Sequence, residues 1–362
     1  MREIKQDLKQ LVEAAGISGF EHDVRALIAE KIIDACDELV EDAYGNLVAR
    51  CGVKDGYKVG VYAHMDEVGL IISRVLSNGL LSFELMGMID ERILPGSVVM
   101  VCTRDGRKIP GVIGNKSKHL QNAADAAAGV DYRKMHIDVG ARNAEEAARL
   151  GIEVGCQAVF STPCTFYEND MVLAKSLDDR VGCLTLIHLI NELKGKLKNV
   201  TLYGFFTAQE ETGAKGAASV ASGLGLDMFI CLDTAPVQNR EDLREGDTNL
   251  GCGPVIRISD AMVQFTKGMV SNPQIVRRMV EVAKEQKLPY LCDVLHSTYL
   301  DSCTAQFTDR GIPGGSICFP RRYSHTAVEM CDLHDIDHAI TLLCETVLSL
   351  DRKPIVFGKQ YK

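Results

Sequence analysis

Several things are scarce in this 362-residue chain, and each scarcity excludes something. No apolar run approaches the ~20 residues of a membrane span. The N-terminal stretch MREIKQDLKQLVEAAG is charged and helical in period, without the apolar core of a secretory signal. No segment is dense in Lys and Arg, and the net charge is −9. An acidic chain of this kind is a poor partner for nucleic acid or for an anionic membrane surface. There is no internal repeat and no low-complexity linker. No Cys-x-x-Cys pair occurs, and the thirteen cysteines are odd in number. Cys102, Cys183, Cys231, Cys318 and Cys344 sit in apolar segments. Such residues read as reduced structural thiols rather than disulfides or a cysteine zinc site. The expected compartment is the cytoplasm.

What is present is ordinary globular material, 46% hydrophobic and 25% charged. The length suggests two domains, because one core rarely grows beyond ~250 residues. Residues 1–35 repeat apolar positions at helical spacing, with a turn between Gly16 and Gly19. ELVEDAYGNLVARC and YKVGVYAHMDE read as extended segments. From about 70 to 170 the chain changes to short alternating runs with Gly-rich turns, a small β unit containing one helix, NAEEAARLG. After 170, helices alternate with apolar strands: SLDDRVGCLTLIHLINELKG, NVTLYGFFTA, GAKGAASVASG, DMFICLDTA, NPQIVRRMVEVAKEQK, LPYLCDVL, GGSICFP and DIDHAITLLCETVLSL. This rhythm predicts an α/β domain with a mostly parallel sheet flanked by helices. The expected domains are 1–69 and 171–362, forming one α/β unit, and 70–170, an inserted β domain.

The chemistry collects at strand ends. VGVYA ends in His64-Met65-Asp66-Glu67, TLYGFFTA in Gln209-Glu210-Glu211, and MFICL in Asp233. SICFP runs into Arg321-Arg322-Tyr323-Ser324-His325, and Asp178-Asp179 opens a helix just after the insert. Ligands of open α/β sheets bind outside the carboxyl ends of the strands, so these groups could share one crevice. Two histidines with several carboxylates and no thiolate suit zinc, cobalt or manganese. His64 and Asp66 share a strand face, so Asp66 could orient a metal-bound His64. Each piece alone has a plainer reading. His64 or His325 could be a structural or surface histidine, and Glu210-Glu211 a solvated loop. Asp178-Asp179 could favour a helix N-terminus, and Asp233 could cap a turn.

The strings AHMDEVG (63–69), AKSLDDRVG (174–182), TAQEETGAKGA (207–217) and PRRYSHTAVE (320–329) resemble metallopeptidase family 42. That family contains glutamyl-aminopeptidase-like and tetrahedral aminopeptidases, some labelled endoglucanases. The similarity runs over nearly the whole chain, including GISGFEHDVR, DAYGNLVA, GVIGNKSKHL and IDVGARNAEEAARLGIEVG. The resemblance implies a zinc-exopeptidase-like fold with an inserted PDZ-like or barrel-like domain. It implies two divalent ions per chain, zinc first and cobalt or manganese as alternatives. It assigns His64 and Asp233 to the first metal, Asp178 to the bridge, and Glu211 and His325 to the second metal. Glu210 matches the general base and Asp66 the residue orienting His64. Peptides are the implied substrates, and dimers assembling into hollow dodecamers the implied state.

Two segments depart from the pattern. KSKHL stands where Lys-Pro-Pro-His is usual, and YLDSC (299–303) replaces Gly-Thr-Asp-Ala, so only Asp301 carries over. Arg321, Arg322 and Lys215 could favour acidic substrate side chains or simply be solvated. Three other functions compete. A glycosidase would leave the histidines without a task. A metal-dependent deacylase could use the same site. A non-catalytic assembly protein would have no need of an intact ligand set.

Overall fold

The computed structural model describes residues 2–122, 130–237, 248–261, 268–295 and 299–358. The N-terminal helical stretch is two helices, α1 (Lys5–Glu13) and α2 (His22–Ile32), parted by the Gly16–Gly19 turn. A hairpin follows, β1 (Glu38–Glu41) and β2 (Leu47–Gly52), and then β3 (Tyr57–His64). The chain next enters a closed barrel. Its strands are β4 (Gly69–Val75), β5 (Leu81–Met86), β6 (Val98–Cys102), β7 (Lys108–Ile113), β8 (Ile137–Asp138) and β9 (Gln157–Phe160). Helix α3 (Ala144–Arg149) lies between β8 and β9, with the Asn143 side chain accepting from the Glu146 N–H as its cap. Strands β10 (Thr165–Phe166) and β11 (Met171–Ala174) leave the barrel and pair in a separate three-stranded sheet. Residues 161–170 therefore lead back towards the α/β unit.

That unit resumes with α4 (Leu177–Leu193), β12 (Val200–Thr207), α5 (Ala217–Val220), β13 (Met228–Pro236) and β14 (Val255–Ser259). It ends with α6 (Pro273–Glu285), β15 (Leu291–Val294), α7 (Ser302–Ala305), β16 (Gly314–Arg321), β17 (Glu329–Asp332) and α8 (Leu333–Arg352). The main sheet runs β1-β2-β12-β3-β13-β16-β14-β15. Its centre, from β12 to β16, is parallel, as the long apolar strands require. The flanks differ: β2 meets β12, and β14 meets β16, antiparallel. The helix expected over GAKGAASVASG shrinks to the four residues of α5. Gly213 and Ala214 have positive φ there, which turns the chain before a helix can start.

Alternation along the strands divides the core into layers. Val61 and Ala63 face one side, with α1, α2, α4, α6 and α8, and Tyr62 faces the other, with α5 and α7. The barrel has its own core, built from Leu70, Ile72, Phe83, Val99, Val101 and Ile137 among others. All thirteen cysteines are free thiols. Among the described residues no helix is long and apolar enough to cross a membrane.

A buried charge cluster holds the place where the chain leaves for the barrel and returns. Glu67, just before β4, accepts from the Lys175 ammonium at 2.7 and 2.8 Å and lies 3.5 Å from Arg180. It also accepts from the Gly16 N–H. Arg180 in turn donates to the carbonyl of Leu11 on α1. Glu67, Lys175 and Arg180 are all buried. Removing one member of a buried ion cluster strands its partner without compensation. Lys175→Met should therefore lower unfolding free energy by about 3–5 kcal/mol in urea titration, and Lys175→Met/Glu67→Gln should recover most of the loss. Equal destabilisation by both would contradict this account.

Candidate metal centre

The parallel strands bring their carboxyl ends to one edge. β3 and β12 are in register there, His64 opposite Thr207, and β13 and β16 pair Asp233 with Cys318. His64, Asp66, Asp178, Glu210 and Asp233 are all buried. The side chain of Glu211 is 5% exposed and that of His325 25%, so the crevice opens on the His325 side.

Asp178 sits at its centre. One oxygen, Oδ1, lies 3.3 Å from His64 Nε2. The other, Oδ2, lies 3.3 Å from His325 Nε2 and 2.7 Å from the Arg321 guanidinium. Glu211 Oε1 is 3.5 Å from His325 Nε2. Ligand atoms of His64, Asp178 and Glu211 all fall within 4.8 Å of one another. Asp178 precedes the regular part of α4, in non-helical backbone joined to Asp179 by a cis peptide bond. Asp179 accepts from the Gly182 N–H and so caps the helix. Gly182 cannot be larger, because a Cβ there would meet Asp179 Oδ2 at 2.1 Å.

His64 is turned by both parts of Asp66. Its Nδ1 lies 3.0 Å from the Asp66 carbonyl and 3.4 Å from the carboxylate. The same carboxylate accepts from the N–H groups of Glu210 and Glu211, at 2.9 and 3.1 Å, and from the Ser18 hydroxyl. Asp66 thus ties the end of β3 to the turn after β12. Gln209 and Ser176, beside that turn and beside Asp178, have positive φ, as do Tyr323 and His325. Left-handed backbone at non-glycine residues costs on the order of 1–3 kcal/mol each and gathers at functional sites.

Sequence reasoning missed several members. Glu329 accepts from the N–H groups of Asp178 and His325 and from the Arg321 guanidinium. Its only signal was its place at the end of PRRYSHTAVE. Ser18 lay in GISGFEHDVR without a role. Met88, between β5 and β6, accepts from His325 Nδ1 through its carbonyl, so the barrel touches the crevice. Arg321, weighed as a group for acidic substrates or a solvated one, is neither: it is 2% exposed and paired with Asp178 and Glu329. Lys215 is exposed, and Arg322 donates to Asn249. Asp301, carried over from the divergent segment, is buried and accepts from the Thr207 hydroxyl.

The donor set fits divalent cations. Asp178 Oδ1, Glu210 Oε1 and Asp301 Oδ1 are buried without a hydrogen-bond partner. Buried polar atoms are rarely left so without an ion or water to satisfy them. Burial pushes the Glu210 and Asp233 carboxyls well above the carboxylate range, Glu211 up to about 7 and Asp301 up to about 6. Asp178 is the exception: burial would raise it too, but Arg321 and the two histidines hold it well below that range. Burial opposes a charged His325, yet Glu211 and Asp178 raise it to about 9.

These shifts give the metal-free protein a pH dependence of definite sign. The raised carboxyls hold protons that the unfolded chain has released, so stability falls as pH climbs from about 4 through about 7. The raised histidine adds stability below about 6.5 that is lost as pH passes about 9. The Asp178 contribution is lost only at more acid pH, below about 4. The melting temperature of chelator-stripped protein should therefore drop between pH 5 and 9. Added divalent ion should restore it most at the upper end, where the ligands are deprotonated. A melting temperature that rose across this interval would contradict the assignment.

Residues 45–342 match the M42 glutamyl aminopeptidase family. The fold is similar to that of the aminopeptidase APDkam598 from the archaeon Desulfurococcus kamchatkensis, at 33% identity and a TM-score of 0.88, over 98% of this chain and 99% of that one. It is similar to the TET1 peptidase of Pyrococcus horikoshii, described as assembling into a tetrahedron or a large octahedral shell. There the identity is 29% and the TM-score 0.83, over 94% of this chain and 98% of that one. The lysyl aminopeptidase of Pyrococcus furiosus is 28% identical over 353 residues, 96% of this chain and 98% of its own. With its inserted barrel, its crevice of imidazoles and carboxylates and a match over most of its length, the chain belongs to the M42 glutamyl aminopeptidase family and is a metal-dependent aminopeptidase, a hydrolase of peptide bonds.

Proposed function

We propose that the enzyme is dinuclear, with His64, Asp178 and Asp233 holding one divalent ion and Asp178, Glu211 and His325 holding a second. The observation that carries this reading is Asp178, whose two oxygens each lie 3.3 Å from an imidazole nitrogen of a different segment. A carboxylate faced on both oxygens is suited to bridging two cations. Imidazole and carboxylate donors without thiolate favour zinc, with cobalt or manganese able to replace it. When bound, the ions supply a nucleophile from water at neutral pH and withdraw electrons from the scissile carbonyl.

Glu210 is the general base. Its carboxyl is buried, raised by that burial, and has one oxygen without a hydrogen-bond partner. It takes the proton of the attacking water and returns it to the leaving amine. Asp66 keeps His64 in place and holds the Glu210-Glu211 turn through two backbone N–H groups. The substrates are peptides with a free N-terminus, from which single residues are released. The insert, residues 70–170, serves assembly and access. Like its TET1 relative, the enzyme self-associates, as dimers that build a hollow dodecamer. Thirteen free thiols favour a reducing compartment, the cytoplasm.

Two measurements test this reading. Glu210→Gln keeps the shape and removes the base, so kcat should fall ~10²–10⁴-fold with metal content retained. That is about 3–5 kcal/mol of barrier. Glu211→Gln should lose metal instead, and excess metal should restore part of the rate. The reverse pattern would exchange the two roles, and unchanged rates would place the site elsewhere. For assembly, light scattering at micromolar concentration should report a particle of several dimers. A fully active monomer would refute a need for association.

A further inference from the structure

Arg321 is a charged member of the crevice that the mechanism above does not use. It ends β16, is 2% exposed, and carries a charge that no accessible pH removes. Its guanidinium lies 2.7 Å from Asp178 Oδ2, and it also donates to Glu329 and to Ser324 Oγ. The fork is thus held on three sides. The consequence for Asp178 is asymmetric. Oδ2, on the His325 side, already faces a fixed positive charge, whereas Oδ1, on the His64 side, faces the His64 imidazole at 3.3 Å and no guanidinium.

We infer that Arg321 is a resident cation of the metal centre that makes its two positions unequal, the His64 side binding an ion first and the His325 side binding one weakly. The inference rests on the dinuclear reading and goes beyond it. A guanidinium beside Asp178 Oδ2 repels a divalent ion approaching the same oxygen, and in a buried crevice water screens this little. The repulsion reaches the His64 side more weakly, because that ion would meet the other oxygen. Arg321 also spares the empty centre an uncompensated cluster of negative charge, which is the structural reason for burying an arginine there.

The test is calorimetric titration of chelator-stripped full-length protein with manganese chloride alone, for wild type, Arg321→Met and Arg321→Lys. Wild type should show two classes of site separated by ~100-fold or more in Kd. In Arg321→Met the weaker class should tighten by roughly 10- to 100-fold, the range seen when groups behind metal ligands are changed. Arg321→Lys keeps the charge and should resemble wild type. Should Arg321→Met not survive stripping, Arg321→Gln replaces it, since it retains a donor for Glu329. Two equal sites in wild type would overturn the inference. So would an unchanged weak class in Arg321→Met, or a lysine variant that matches the methionine one. Wild type that binds no more than one ion even at saturating manganese would sink the dinuclear reading itself, which separates the two failures.

Discussion

The carboxylate of Asp178 is shared among three positively charged or proton-bearing partners, and most of the crevice is arranged around that sharing. His64 comes from the end of β3, His325 from the loop after β16, and Arg321 from the last residue of β16. Asp178 itself stands on the irregular residues that introduce α4. Three segments far apart in sequence are thereby fixed against one another by one group. Parallel strands make this possible, because their carboxyl ends fall on the same edge of the sheet. The left-handed residues beside it are the local cost of pointing these groups inward.

A second level of organisation stands behind the first. Asp66 and Glu329 do for the surrounding backbone what Asp178 does for the side chains. Asp66 accepts from the N–H groups of Glu210 and Glu211, and Glu329 from those of Asp178 and His325. Every residue assigned to catalysis or the bridge is thus anchored by its main chain to a buried carboxylate. Charge-assisted hydrogen bonds of this kind are stronger than neutral ones and leave little freedom in the turn. The arrangement concentrates negative charge, which burial disfavours, and the raised Glu210, Glu211 and Asp233 carboxyls express that tension. Divalent cations would relieve it, so stability and metal affinity draw on the same groups.

The barrel is joined to this centre rather than merely attached to the domain. The Met88 carbonyl reaches His325, and the Glu67–Lys175–Arg180 cluster clamps the two crossings between the domains.

The strand ends were legible in the sequence because an apolar run that stops at His, Asp or Glu marks both the strand and its exit from the core. His64, Glu210, Glu211 and Asp233 stand out in this way, and so do the helix–strand rhythm and the Gly-punctuated insert. His325 after SICFP and Asp178 at the start of a helix were placed by position as well, and the motif strings gave them their roles as second-metal histidine and bridge. Tertiary structure alone decided the rest. Nothing in PRRYSH says that Arg321 turns inward to Asp178 while Arg322 meets Asn249, since adjacent residues of an extended segment face opposite sides. Ser18 and Glu329 gain their tasks from partners 48 and 151 residues away. The antiparallel flanks of the sheet and the closure of the barrel depend on which strands meet, and the shortening of α5 depends on the turn before it. Local periodicity fixes which face of a segment is apolar, but the partner of each buried charge is settled only when distant segments pack together.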